Sequence, residues 1–254
     1  MIQSPILKVL SSMRQNEVKC LLMGGQACVL YGAAEFSRDT DLAVLADSEN
    51  LGRLRQALEL LEADVVAIPP FESRYLDMGL AVHFRCQRSD VQGMRIDVMS
   101  LMRGVDEFSV LWGRRTTFEL ESEQIELMSL PDLVKAKKTQ RDKDWPMVTR
   151  LIEANYFTNR DEPTGQQIDF WLKELRTPSL LIEVASRFST ECRALLVERP
   201  LLEFAVARNE DGLRKELTTE EQQEREADMR YWKPLVETLS NLRMNRDRPG
   251  DRSR

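Results

Sequence analysis

The sequence predicts an α/β (α+β) domain built on one mixed sheet, followed by a helical C-terminal region. Three observations lead there. Short apolar runs closed by glycine or proline alternate with amphipathic stretches up to about residue 127. Beyond Pro131 only helical spacing remains. The 254 residues, 42% hydrophobic and 31% charged, suffice for a substantial core in one large or two small domains.

In chain order, Ile2, Ile6, Val9, Leu10 and Met13 have helical spacing over residues 2–15. Residues 19–23 form an apolar run that stops at Gly24 and Gly25, the pattern of a buried strand. A short helix is expected over 26–31, ended by Gly32, and a strand over 40–46. Leu51, Leu54, Leu58 and Leu61 mark an amphipathic helix over 50–61. Strands are expected over 64–68, 80–86 and 94–99, and a hairpin over 116–120 and 124–127. Helices follow over 133–140, 145–155, 167–175, 179–196, 201–217 and 219–242. Thr218 with Glu221 fits a capping box for the last. Tyr231-Trp232 before Lys233-Pro234 either kinks that helix or packs it on the main domain. Residues 158–165 read as a linker. The domain expectation is therefore 1–157 for the sheet domain, 166–244 for the helical region and 245–254 for a disordered basic tail.

Composition removes several classes of function. A formal net charge of -6 argues against a general nucleic-acid coat. The single histidine, His83, excludes zinc sites that need several, and a Ser-His-Asp triad unless His83 serves it. His83 lies between Val82 and Phe84, where a solvent-facing role is expected. Cys20, Cys28, Cys86 and Cys192 lack metal-ligand spacing and read as reduced core thiols. Trp145, Trp171 and Trp232 read as core or docking residues. No leader-like or membrane-length apolar run occurs, so a cytoplasmic location is expected.

Three features occur in one order. A strand ends in Gly24-Gly25 and opens a helix, Asp39-Thr40-Asp41 follows, and Asp97 sits later between Ile96 and Val98. Residues i and i+2 of a strand share a face, so Asp39 and Asp41 project together if the strand includes both. Close carboxylates repel unless a cation lies between them. An acid in an apolar strand is costly unless paired or metal-bound. Three carboxylate ligands suit Mg²⁺, which completes its shell with water and substrate phosphates. Glycines let phosphate approach the backbone, and Ser37 and Arg38 add a hydroxyl and a cation. The plainer readings are turn glycines and an Asp97 paired with Arg95 or Arg85. A second Asp-x-Asp, Asp142-Lys143-Asp144, falls at a helix N-terminus, where acids are common.

Residues 22–44 resemble the signature of polymerase β-like nucleotidyltransferases, specifically the minimal or AbiEii-like branch. Met23-Gly24-Gly25 resembles its start and Asp39-Thr40-Asp41-Leu42 its end, with Asp97 as the third carboxylate. The resemblance implies a nucleotidyltransferase fold and a Mg²⁺ site on Asp39, Asp41 and Asp97. It implies transfer of a nucleoside monophosphate from an NTP to a hydroxyl of RNA, protein or a small antibiotic. In that branch a toxin–antitoxin or phage-defence role, with a cognate partner protein, is the first expectation. The family's third carboxylate is expected to deprotonate the attacking hydroxyl. Gly25 and Thr40 depart from the pattern, where serine and an aliphatic residue are usual. A second alignment takes Asp41 and Ala43 as the acid positions and leaves the site incomplete. A non-catalytic nucleotide-sensing or protein-binding module is then the alternative function. Leu133, Lys137, Arg141 and Lys143-Asp144 resemble a segment that follows the sheet in AbiEii-like proteins. On a helix Lys137 and Arg141 share a face. Together with Lys143 they are candidates for the triphosphate or an RNA backbone, or else form a solvated face.

Overall fold

The structure is a computed structural model that describes residues 4–120 and 123–246. It divides into two compact units. Among the described residues, one comprises 4–30, 34–120, 123–136 and 230–246, the other 31–33 and 137–229. The division falls at Ala136, ahead of the expected linker, where helix continues to Asn159 and resumes at Gly165. Of the expected disordered tail, 245–254, residues 245 and 246 continue the last helix, while residues 247–254 and the helical position of Ile2 lie outside the described residues.

The first unit opens with α1 (Ser4–Gln15), β1 (Cys20–Met23), α2 (Gly24–Leu30), β2 (Thr40–Val44), α3 (Ser48–Leu60) and β3 (Ala63–Val65). It continues with α4 (Ser73–Asp77), β4 (Val82–Cys86), β5 (Arg95–Met99), α5 (Phe108–Gly113), β6 (Thr116–Leu120), β7 (Glu123–Leu127) and α6 (Leu130–Lys137). The seven strands form one mixed sheet in the order β3-β4-β5-β2-β1-β7-β6. β2 runs parallel to β5 and antiparallel to β1, while β4 pairs antiparallel with β5. Register places Leu22, Leu42, Val98 and Val82 in one row. Each is at most 1% exposed. By alternation, Met23, Asp41, Asp97 and His83 form the neighbouring row on the opposite face. Burying such aliphatics contributes about 1.5–3 kcal/mol each, so slipping β2 by one residue would forfeit the core and the acids together.

Asn50, 2% exposed, fastens the start of β1 to the end of β2. Its carbonyl accepts from Lys19 N at 2.7 Å, and its amide donates to Lys19 O at 3.0 Å and Leu45 O at 2.8 Å. Asp47 caps α3 by accepting from Asn50 N, so the helix begins two residues before the expected position. Asn50→Ala removes three part-buried bonds that tie the two strand ends together. We expect a loss of about 2–4 kcal/mol in urea unfolding.

The second unit contains α7 (Asp144–Asn159), α8 (Gly165–Glu174), α9 (Pro178–Arg187), α10 (Ser189–Ala194) and α11 (Leu202–Val206), with the first part of α12 (Glu210–Arg246). The expected helix over 179–196 breaks at Phe188 (φ −117°, ψ 56°), and that over 201–217 breaks at Arg208 (φ 53°). The capping box lies at Thr164 and Gln167. It does not form at Thr218, because α12 runs through that point, with Thr218 and Thr219 hydroxyls donating to carbonyls four residues back. The end of α12 belongs to the first unit. There Tyr231, Trp232 and Leu235 pack with Tyr75 and Leu80, and the helix continues through Pro234.

Candidate active site

Asp41 and Asp97 are direct partners across the parallel β2–β5 pair, so their side chains leave one face at one level. Met23 faces Asp41 from β1, and the chain turns there into α2 through Gly24 at φ +64°. A Cβ on Gly24 would stand 1.8 Å from Asp41 Oδ2, and one on Gly25 would stand 2.3 Å from Ser37 Oγ. Gly25 N donates to Asp41 Oδ2 at 3.4 Å, and Gln26 Nε2 donates to Ser37 O at 2.6 Å. The two glycines thus let the backbone lie directly against the acid and the serine, the close approach that only a residue without a side chain permits. Gly24→Ala places a side chain inside Asp41 and strains the backbone. The expected result is a displaced Asp41 and a melting temperature several degrees lower, read by calorimetry.

Asp39 precedes β2 and is partly exposed, as is Ser37, while Arg38 is exposed with its guanidinium 5.8 Å from the Phe36 ring. Ala43, the other acid position of the second alignment, is fully buried, opposite Met99 and Leu21. The carboxylate positioned against Gly24 and beside Asp97 is therefore Asp41.

Asp97 is 8% exposed and tightly held. Arg95 Nε donates to its Oδ1 at 2.8 Å, and His83 Nδ1 lies 2.8 Å from the same oxygen. Arg95 Nη2 lies 3.1 Å from His83 Nδ1. Burial favours the neutral acid, but the bonds and charges of His83 and Arg95 outweigh it and hold Asp97 below the usual carboxylate range. Arg95 is in turn held in its charged form, first by the bond to Asp97 and also by the charges of Asp39 and Asp41, against a smaller opposing effect of burial. His83 is thus a partner of the site, against the expectation that it faces solvent. Its period-two position on β4 is visible in the sequence, but its register against Asp97 is not.

The three carboxylates have the hard oxygen donors that Mg²⁺ prefers. Their arrangement does not make them a ligand set. Among the described residues no group of three or more His, Cys, Asp or Glu side chains is placed to hold a metal. Arg95 supplies the positive charge on this face instead.

The basic segment differs from its expected form. α6 ends at Lys137, so Arg141 lies in the following turn and not on a shared helical face. Bonds from the second unit fix that turn. Asp144, 2% exposed, accepts from Thr139 Oγ1 at 2.6 Å and pairs with Arg141 at 2.8 Å and Lys137 at 3.4 Å. Gln140 N donates to Asp228, and Trp145 Nε1 donates to Thr139 O. Lys138 pairs with Glu174 at 2.6 Å. Lys143 is exposed at the start of α7. The acids of this segment therefore already balance Lys137 and Arg141.

No family model matches the chain, and no curated protein does. Among solved structures it is similar to an antigenic nucleotidyltransferase-like protein from Paracoccidioides brasiliensis. The identity is 17%, over 80% of this chain and 93% of that one, with a TM-score of 0.39. It is also similar to ANT(2")-Ia, solved in complex with adenylyl-2"-tobramycin, at 11% identity over 85% of this chain and 95% of that one, with a TM-score of 0.34. Among the described residues no helix is long and apolar enough to cross a membrane.

Proposed function

We propose that the chain is a nucleotidyltransferase that moves a nucleoside monophosphate from an NTP to a hydroxyl acceptor. The observation that carries this reading is the single-face juxtaposition of Asp41 and Asp97 beside the bare Gly24-Gly25 backbone. The acceptor oxygen would bond to the α-phosphorus as the bond to pyrophosphate breaks, and the hydroxyl proton would leave to a carboxylate or water. Gly24, Gly25, Ser37 and Arg38 line the approach for the phosphates, and Asp97 faces the attacking hydroxyl. Lys137, Arg141 and Lys143 remain candidates for a phosphate-bearing substrate, Lys143 with the least internal competition. RNA or protein is the acceptor class we favour, in a toxin–antitoxin or phage-defence setting of the AbiEii-like kind and in the cytoplasm.

One observation favours a second reading, a nucleotide-sensing or protein-binding module without catalysis. Asp97 is already satisfied by Arg95 and His83. Label transfer separates the two readings. The protein, α-labelled NTPs and Mg²⁺ are offered total RNA, a protein lysate and a panel of hydroxylated small molecules. Label that joins one acceptor class, and is lost in Asp39→Ala and Asp41→Ala, supports the enzyme. Nucleotide binding without transfer to any acceptor supports the module.

A further inference from the structure

Among the described residues two phenylalanines stand more than half exposed, Phe36 at 52% and Phe157 at 53%. Single exposed hydrophobic residues are ordinary and need no function. Phe157 belongs to the helical unit, on α7. Phe36 has a different setting, because the start of α2 clamps its neighbour Ser37 in two places. A Cβ on Gly25 would stand 2.3 Å from Ser37 Oγ, and Ser37 O accepts from Nε2 of the buried Gln26 at 2.6 Å. Around the clamped serine, Phe36 and Arg38 stand together, with the Arg38 guanidinium over the Phe36 ring at 5.8 Å from its centre. That is close to the ~6 Å limit of a cation–π contact, so the guanidinium does not press on the ring. A half-exposed ring and an exposed guanidinium thus flank the serine that touches the glycine turn, each one residue, about 3.8 Å of chain, away. The ring leaves apolar area in water that a flat partner would cover.

We propose that Phe36, with Arg38 beside it, is the base-stacking platform of the nucleotide site, and that the nucleoside triphosphate is recognised there by the flat face of its base and not by the base's edge. This deepens the nucleotidyl-transfer reading and rests on the phosphate approach which that reading assigns to Gly24 and Gly25. A nucleotide joins a charged phosphate end to a flat, largely apolar base. A site that takes the phosphates at the glycine turn therefore needs an aromatic partner a short way along the chain, and the loop after α2 supplies one. Stacking on an aromatic side chain accepts every base, because every base has a π-face. Arg38 adds a planar cation that can stack on a base and pair with a phosphate. The clamp on Ser37 sets this loop before a nucleotide arrives, which lowers the ordering cost of binding.

The test is calorimetric binding of ATP, GTP, CTP, UTP and inorganic tripolyphosphate, without any turnover, to the full chain and three variants. Phe36→Ala should bind all four nucleotides about tenfold or more weakly, the scale of one lost base stack. Its affinity for tripolyphosphate should stay near native, because that ligand has no base. Phe36→Leu keeps apolar bulk without a π-face and should fall with Phe36→Ala. Phe36→Trp should bind the nucleotides at least as tightly as the native protein. Its added indole fluorescence should be quenched by each nucleotide and left unchanged by tripolyphosphate. If Phe36→Ala does not fold, the Leu and Trp variants carry the comparison. Three results would overturn this inference alone. Native nucleotide affinity in Phe36→Ala or Phe36→Leu would show that no base stacks there. An equal loss for nucleotides and tripolyphosphate would show that Phe36 only holds the Ser37 loop. A loss confined to one base would show recognition of its edge. No binding of any nucleotide by the native protein would overturn both the inference and the nucleotide site beneath it.

Discussion

Asp41→Asn is expected to lower nucleotidyl transfer by about 10³-fold or more while leaving the melting temperature within a few degrees of native. The scale follows from losses measured when one preorganised charge-stabilising group is removed elsewhere. Asp41 is partly exposed and its oxygen abuts Gly24, so an amide of the same shape is accommodated. What it loses is the negative charge directly opposite Asp97 in register. Single-turnover rates with saturating NTP would separate loss of chemistry from loss of binding. A variant that keeps more than a tenth of the native rate would move the reacting centre away from Asp41.

Glu220→Ala should produce the largest loss of stability, about 3–5 kcal/mol in denaturant unfolding of the second unit. Glu220 is the shared anion of two arginines. Arg176 Nη1 lies at 2.9 Å, and Arg199 pairs through Nη2 at 2.8 Å and Nε at 3.0 Å. Both arginine side chains are 6% exposed. They also donate to carbonyls, Arg199 to Leu172 and Leu175 at the end of α8 and Arg176 to Leu217 within α12. Deleting the carboxylate leaves two desolvated guanidinium groups without their anion. Glu220→Gln, which keeps acceptor and shape, should lose less.

The same group predicts an acid limb. Burial would raise the pKa of Glu220, but Arg199, Arg176 and Lys138 outweigh it and hold it below its ordinary value of 4.5. Asp144 is likewise held below 3.8, burial being outweighed by Lys137, Thr139 and Arg141. A lowered folded-state pKa gives stability that is complete above the unfolded value and lost as pH falls through the folded one. Unfolding free energy should therefore decline from about pH 4.5 downward. In Glu220→Gln that slope should be shallower.

Much of the first unit was legible because its strands are short apolar runs closed by glycine, and local chemistry alone identifies them. β1, β2 and β5 lie where those runs predict, and so does the turn through Gly24. The helices α4 and α5, of five and six residues, carry too little periodicity to read. The sequence starts a helix at Thr219, because Thr218 with Glu221 fits a capping box, yet the Thr218 and Thr219 hydroxyls bond back along one unbroken helix. The candidate acids were readable from spacing. The Arg95–Asp97 pair was readable too, two residues apart on one strand, but His83 joins it only because β4 and β5 pair in one particular register. The basic segment misled for a similar reason. Asp228, which fixes its turn, is 88 residues away in sequence.

The reading proposed above makes Asp41 and Asp97 one nucleotide site on a single face of the sheet. A crystal structure with a bound non-hydrolysable NTP tests it most directly. The expected result is the triphosphate over Gly24-Gly25, on the face that carries Asp41 and Asp97. A nucleotide bound elsewhere would contradict it.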